Sequence, residues 1–370
     1  MRPVKLPFYA KLCMSLLSIV MIIIILIEAR DILVPLVFSL LIAILLYPFN
    51  RFLQDRLHMG RAGAAIISVM VFITTLVSFF YFLAIEIIGF SSDFPLLRKR
   101  FISMFDSLQH WLSYKLHITN HQQSEYINKS VNSIMETIAR SLSNIFSYST
   151  GILLSIVFMF IFTFFILFHR KLLMKFILHL FSLPYRDKVK EVIMETKNMI
   201  KAYVLGLVIE MALVSVVNII MFMIMGIQYA VLLGVMAAVL NIIPYLGIYT
   251  AIGLTMLVTF ANSTGNMAIE AGVGLFIVHL IDSNILFPRI IGGQVKMNPF
   301  ITIIAVIIGE YIWGVSGMFL FIPITGILKL VFERVEGMEA WGMLIGVEDV
   351  EKKPKKIKLK DLPKDNEILK

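Results

Sequence analysis

The chain has 370 residues, of which 59% are hydrophobic and only 15% are charged, and its formal net charge is +9 at pH 7. Soluble domains usually carry about 25% charged residues, so the chain lacks the polar surface that a water-soluble body of this size needs. This excludes most soluble enzymes and nucleic-acid-binding proteins. The positive charge is expected to orient the protein in a membrane rather than to bind nucleic acid.

Apolar segments recur along the chain, and a helix needs about 20 apolar residues to cross a bilayer. We predict an all-α, polytopic transmembrane helix bundle of about eight spans. Two C-terminal pairs of segments are short and are interrupted by proline or glycine, and we expect one of these pairs to be a re-entrant hairpin. The apolar segments are residues 12–27, 32–49, 62–90, 151–168, 203–225, 229–243, 248–261, 267–287, 299–313 and 315–332.

The segments divide the chain into four parts. Residues 1–90 form a three-span unit, and residues 91–150 are a polar excursion with two amphipathic helical patterns. Residues 151–332 form the transmembrane core, which includes a basic amphipathic helix at 170–202 that we expect to lie on the inner leaflet. Residues 333–370 are a lysine-rich tail. Because cytoplasmic loops are rich in lysine and arginine, both termini are predicted in the cytoplasm and the excursion outside.

Acidic side chains within apolar segments are candidates for ion coupling, because a charge at the bilayer centre costs about 2.5–3.5 kcal/mol. Glu210 and Asn218 are eight residues apart and share a helical face, and His279 and Asp282 are close enough in sequence to touch. Glu270 and Glu310 are near predicted span ends, where simple contact with water is the alternative. The candidate ion-coupling residues are Asp282, His279, Glu210, Glu310 and Glu270.

A proline and a glycine interrupt the apolar sequence at Asn241–Gly247. Proline removes a hydrogen-bond donor and glycine permits a sharp turn, and discontinuous helices of this kind form substrate sites in transporters. A short loop between two tilted spans is the alternative. The sequence contains no metal-ligand set and no nucleotide-binding loop, so we predict no catalytic residue, no metal and no cofactor.

Four motifs of the C-terminal half resemble the autoinducer-2 exporter family of bacterial permeases. They are NIIPYLG from Asn241 to Gly247, NILFPRIIG from Asn284 to Gly292, Asn298-Pro299, and GEYIWGVSGMFLFIP from Gly309 to Pro323. The resemblance covers residues 186–332 well, whereas the N-terminal half matches only in layout. Asp282 stands where that family usually has glutamate, which keeps the charge, and Ile248 stands where proline is usual.

The resemblance implies a homo-oligomeric transporter of the bacterial inner membrane. We expect it to export a small polar, autoinducer-2-like solute, as in quorum sensing, and to be driven by an ion gradient. A sodium/proton antiporter and a non-transporting membrane scaffold are the alternatives. The expected partners are membrane lipid, a small molecule or ion, and further copies of the chain. The residues expected to line the path are Asn241, Pro244, Tyr245, Gly247, Asn218, Asn284, Pro288, Arg289 and Gly292.

Overall fold

The described fold is helical, which confirms the predicted all-α class. A computed structural model describes residues 7–91, 99–100, 102–103, 133, 149–244, 246–292 and 296–347. In these residues β-structure is limited to one isolated bridge between Met297 and Gly346. The two amphipathic patterns predicted in the excursion, the lysine-rich tail from residue 348 onward, and Tyr245 lie outside the described residues.

The described residues form ten α-helices. Their bounds are α1 Phe8–Glu28, α2 Arg30–Arg56, α3 Arg61–Ser91, α4 Ser149–His179, α5 Arg186–Ile224, α6 Ala230–Asn241, α7 Leu246–Asn262, α8 Gly265–Ile281, α9 Pro299–Phe332 and α10 Glu339–Ile345. Seven of the described helices, α1 to α5, α8 and α9, are long and apolar enough to cross a membrane. Helices α6 and α7 are shorter but equally apolar.

The basic stretch at 170–202 is not the single helix that the sequence predicts. Its first part continues α4 to His179, a 3₁₀ turn occupies Leu183–Tyr185, and its last part opens α5. Pro184 explains the break, because proline has no N–H and disfavours a helical residue before it. Helix α5 has 39 residues, or about 58 Å at 1.5 Å per residue. It is therefore longer than the apolar core of a bilayer, and its basic first turns extend beyond that core.

Helix α9 is folded back on itself at Gly314, whose φ of 61° and ψ of −145° are not helical. A Cβ atom added to Gly317 would lie 1.8 Å from the carbonyl oxygen of Gly309, whereas eight residues of straight helix would separate the two by about 12 Å. The two ends of α9 lie close to each other. The backbone N–H of Asn298, just before α9, donates at 2.9 Å to the carbonyl of Ile345, which lies in the short helix that follows the other end of α9. Residues 299–313 and 315–332 are thus the two arms of a hairpin.

Helices α6 and α7 form a second hairpin, with its turn at Asn241–Gly247. A Cβ atom on Gly247 would lie 1.8 Å from the Leu240 carbonyl oxygen, so only glycine permits this close return. The other end of the hairpin lies near the end of α3. There the Tyr229 hydroxyl donates to the Gly89 carbonyl at 3.3 Å, and Arg100 donates to the Ser263 carbonyl.

The two hairpins enter the bundle from opposite ends. One end, which we call the basic end, holds the ends of α2 and α4, the start of α5 and both ends of α9. Arg334, just after α9, donates to Glu195 of α5 there at 2.7 Å. The α6–α7 hairpin enters from the other end. The predicted bundle with broken helices is confirmed. Both short pairs are hairpins, and six of the seven long, apolar helices are not folded back on themselves.

Small residues let α6 pack deeply inside the C-terminal half. Ala230, Gly234 and Ala238 recur one helical turn apart, and all three are buried. A Cβ atom on Gly234 would lie 2.6 Å from the Ile219 side chain of α5, which shows how closely the two helices approach. This packing is typical of helices in membranes. It also brings the end of α6 to the middle of α5, where the candidate site lies.

Candidate functional site

Polar side chains from three helical regions meet inside the C-terminal half. Asn241, the last residue of α6, donates through its Nδ2 to the Asp282 carboxylate at 2.8 Å. The Glu210 and Asp282 carboxyl groups are close enough to influence each other electrostatically. Glu210 is 6%, Asp282 2% and Asn218 0% exposed. We call Glu210, Asn218, Asn241, His279 and Asp282 the acid cluster.

The acid cluster lies far from either end of α5. Glu210 is 14 residues before Ile224, or about 21 Å along the helix axis, and 24 residues after the start of α5 at Arg186. Helix α6 reaches this level because its hairpin turns there. The three regions are therefore held by packing at one depth, inside segments that are otherwise apolar.

The helix that carries Asp282 changes there from α-helical to π-helical geometry. Helix α8 ends at Ile281 and continues as two π-helical turns, Asp282–Leu286 and Pro288–Gly292. Such turns are rare and are frequent at functional sites. Pro288 has no N–H to donate, and the Asn284 side chain donates to the Leu280 carbonyl at 2.8 Å. The local sequence thus keeps this segment helical while it departs from regular α geometry.

Several buried polar atoms of the acid cluster have no hydrogen-bond partner in the part of the chain that the structure describes. They are both side-chain amide atoms of Asn218, Nδ1 of His279 and Oδ1 of Asp282. Roughly 90% or more of buried polar groups in proteins are paired, so a concentration of unpaired groups indicates a place where water, an ion or a solute binds. The set offers both donors and acceptors.

These unpaired groups line a small cavity. Its volume is about 10 Å³, about the space that one water molecule needs, and apolar side chains complete its wall. The lining residues are Val214, Asn218, Ala237, Asn241, Ile248, Leu275, Val278, His279 and Asp282. Ile248, where the family pattern has proline, is thus part of the wall. The cavity has room for a water molecule or a small ion against the amide and carboxylate.

The structure brings together five of the predicted site residues and places two more at the adjacent turn. Glu210, Asn218, Asn241, His279 and Asp282 form the acid cluster. Gly247 is buried in the hairpin turn and Pro244 is half-buried beside it.

The remaining predicted residues lie elsewhere. Glu270 on α8 and Glu310 on α9 have exposed side chains, as do Asn284, Pro288 and Arg289. Glu270 is 12 residues before Asp282, or about 18 Å along the helix. Gly292 ends the second π-helical turn. None of these residues lines the cavity described above.

Sequence reasoning missed a second buried polar group at the basic end. Arg170 of α4 donates to Asn50 Oδ1 at 2.7 Å and to Gln54 Oε1 at 2.8 Å, and both amides belong to α2. Asn50 in turn donates to the Ser68 hydroxyl of α3 at 3.3 Å. We call Asn50, Gln54, Ser68 and Arg170 the amide network. Its one signal in the sequence is the pair of amides four residues apart at the end of an apolar segment.

Comparison with known proteins identifies the family. A family model described as "AI-2E family transporter" matches residues 16–337, which is most of the chain. The chain belongs to this family. The resemblance seen in the C-terminal motifs is therefore confirmed, and it extends through the N-terminal helices as well. Family membership and the long apolar helices together make this a multi-span membrane protein of a bacterial transporter family.

Relatives are similar to this AI-2E family chain over most of its length, at low identity. The "Putative transport protein YrrI" of Bacillus subtilis is 21% identical over 89% of this chain and 96% of its own. The "Putative transport protein YhhT" of Escherichia coli is 25% identical over 86% of this chain and 89% of its own. The E. coli "AI-2 transport protein TqsA" is 23% identical over 86% of this chain and 90% of its own.

Proposed function

We propose that this AI-2E family protein is a secondary transporter that couples a small polar solute to an ion gradient through Glu210 and Asp282. The observation that supports the proposal is a pair of buried, interacting carboxyl groups inside helices that are otherwise apolar. Isolated charges at such depth are unfavourable by several kcal/mol. Carboxyl groups there are therefore retained for a task that needs them to gain and lose a charge.

The pair can hold a proton or a monovalent cation between its oxygen atoms. Two neighbouring carboxylates repel each other, and a bound proton turns that repulsion into a hydrogen bond. Asn241 donates to Oδ2 of Asp282, while Oδ1 has no hydrogen-bond partner among the residues that the structure describes. His279 lies one helical turn before Asp282, and its ring, neutral or charged, lies beside the carboxyl pair. Loading and release of the ion would then change the charge of the cavity wall.

The hairpins support a path through this site. Irregular backbone at membrane depth is tolerated only where it is buried in protein or lines a water-filled cavity, and the turn at Asn241–Gly247 meets the acid cluster. The second hairpin enters from the basic end with its bend at Gly314. Two short hairpins from opposite ends give a transporter two elements that can move to open either side.

Transport by reconstituted protein tests the proposal, with autoinducer-2 as the first solute because TqsA carries that name. In proteoliposomes with an imposed pH gradient, we expect Asp282→Asn to reduce gradient-driven movement of the solute about 100-fold, which corresponds to about 2.7 kcal/mol. Glu310→Gln, which removes an exposed carboxylate, is the control and should retain transport. Full transport by Asp282→Asn that still responds to the pH gradient would contradict the role of the acid pair.

Sodium/proton exchange is a second candidate function. Asn218 Oδ1 and Asp282 Oδ1 are unpaired buried oxygen atoms, and oxygen ligands are those that hard cations prefer. In this case the acid cluster binds the cargo itself. Addition of sodium to acidified everted vesicles should then release protons from the interior without any organic solute. Vesicles that never respond to sodium, at any pH, would leave solute transport as the function.

The basic end is proposed to face the cytoplasm of a bacterial cell. Positively charged side chains concentrate where α2 and α4 end and α5 begins, including Arg51, Arg56, Arg170 and Lys188, and positive residues favour the cytoplasmic side. If the six long helices that are not folded back all cross, both termini lie on that side. A reporter that is active only in the cytoplasm, fused after Lys370, tests the orientation.

A further inference from the structure

Two cations share one aromatic ring at the basic end. Arg170 of α4 lies over the ring of Tyr47 from α2, with its guanidinium carbon 5.1 Å from the ring centroid, and Lys197 Nζ of α5 is 3.7 Å from the same centroid. Both distances are within the range of cation–π attraction. All three side chains are half-buried. Three helices thus place two like charges around one small surface.

The charges of Arg170 and Lys197 are not neutralised by a carboxylate. The hydrogen bonds of Arg170 go to the neutral side-chain oxygens of Asn50 and Gln54. Among the residues that the structure describes, no carboxylate lies within 4.0 Å of either cation. Some other cations near this end are paired, such as Arg51 with Asp55 at 2.9 Å and Lys329 with Glu333 at 2.9 Å. The site formed by Tyr47, Arg170 and Lys197 therefore carries an excess of positive charge, which a bound anion would neutralise.

The surroundings of the two cations are apolar and exposed. On the side of the cations that faces away from the basic end, Phe165 of α4 is 49% exposed and Leu205 of α5 is 42% exposed. They lie about 7.5 Å and about 12 Å further along their helices than Arg170 and Lys197, so each cation has an outward-facing apolar side chain of its own helix on the side where acyl chains run. A soluble anion would gain nothing from these side chains. A phospholipid would place its phosphate on the cations and its acyl chains on the apolar neighbours.

We propose that Tyr47, Arg170 and Lys197 form a binding site for the phosphate of an anionic phospholipid headgroup. Basic pockets between transmembrane helices are suited to such headgroups. The ring of Tyr47 keeps the two cations close to each other. The site is separate from the acid cluster and does not depend on the proposed transport activity. The bound lipid would link α4 and α5 across α2, and so join the N-terminal helices to the C-terminal half.

Lipid binding by the purified full-length protein tests this site. Phosphatidylglycerol, phosphatidylcholine with the same acyl chains, and inorganic phosphate are each titrated into protein in neutral detergent, and bound lipid is counted by native mass spectrometry. We expect phosphatidylglycerol to bind more tightly than phosphatidylcholine. Lys197→Gln should weaken the binding of phosphatidylglycerol about five-fold, the effect of one basic residue near an anionic lipid, and Arg170→Gln should weaken it at least as much.

Matched controls separate this site from general charge. Lys175→Gln on α4 and Lys188→Gln on α5 remove exposed lysines of the same helices and should leave the binding of phosphatidylglycerol unchanged. Arg170→Gln also disturbs the amide network, so Lys197→Gln, whose recorded contact is with the Tyr47 ring, carries the test if the Arg170 variant unfolds. The proposal is overturned if Lys197→Gln binds phosphatidylglycerol as the unchanged protein does, if phosphatidylcholine binds equally, or if inorganic phosphate displaces the lipid at equal concentration.

Discussion

The acid cluster and the amide network each contain an asparagine that is completely buried, yet the two asparagines differ in their partners. Asn50 and Asn218 are both 0% exposed. Asn50 accepts from Arg170 and Gln54 and donates to Ser68, so its amide is paired on both sides. Neither side-chain atom of Asn218 has a partner within the described ranges.

The difference indicates different roles. A buried amide without a partner costs about 1–3 kcal/mol, so a fold has no structural reason to retain one. The amide network uses its hydrogen bonds to join α2, α3 and α4 and is complete without any ligand. Under the proposed function, the unpaired atoms of the acid cluster bind a proton, a cation, water or a solute. We therefore propose that the same residue type serves architecture at one end and binding in the acid cluster.

The largest expected effect is on the acid pair itself. If Glu210 and Asp282 act together on one ion, removing either one already removes the coupling. We expect Glu210→Gln and Asp282→Asn each to lower gradient-driven transport about 100-fold, and the double variant to be no worse than the single variants. Residues that work as a unit are strongly non-additive in this way. The measurement is solute movement in vesicles as a function of the imposed gradient.

Independent effects would contradict a shared ion. If the two single losses of transport multiply in the double variant, Glu210 and Asp282 act at separate steps. The contrast between the amide network and an acid cluster that binds one ion would then be wrong. Glu270→Gln is the matched control, because Glu270 is an exposed carboxylate on α8, the helix that leads to Asp282. It should leave transport within about two-fold of the unchanged protein, as expected for a surface substitution.

A second prediction concerns the architecture of the amide network. Asn50→Leu leaves the Arg170 guanidinium and the Gln54 amide each without one partner, and unpaired groups that carry charge are the most unfavourable. We expect the free energy of unfolding in mixed micelles to fall by about 2–3 kcal/mol. A change below about 0.5 kcal/mol would show that these hydrogen bonds are not structural. The control is Gln122→Leu, which changes an amide in the polar excursion, away from the apolar segments.

Sequence reasoning reached the helices because apolar length and proline or glycine interruptions are local signals. It placed a break between residues 299–313 and 315–332, but it could not decide which of the two short pairs forms a re-entrant hairpin. The bend depends on the positive φ of Gly314 and on the contact between Gly309 and Gly317, and glycine in an apolar segment is equally compatible with straight, closely packed helices. The basic stretch at 170–202 shows the same limit, since its pattern continues across the turn at Leu183–Tyr185.

The candidate site was predictable only where its residues are close in sequence. The eight-residue spacing of Glu210 and Asn218 and the three-residue spacing of His279 and Asp282 give shared helix faces directly. Contacts between distant segments give no such signal: Asn241 and Asp282 are 41 residues apart, and Asn50 and Arg170 are 120 apart. For this reason the acid cluster was foreseen in part, whereas the amide network was missed.

The smallest expected effect on stability is also the most direct test of the comparison. Asn218→Leu removes two unpaired polar atoms and keeps a similar volume, and replacement of unpaired buried groups by apolar ones can be nearly neutral or stabilising. We expect the free energy of unfolding to change by less than about 1 kcal/mol or to rise, while transport falls at least about tenfold. Paired measurements of unfolding and transport on Asn218→Leu and Asn50→Leu decide the matter. A loss of stability in Asn218→Leu as large as that in Asn50→Leu would mean that Asn218 is structural, and that the two asparagines do not differ in role.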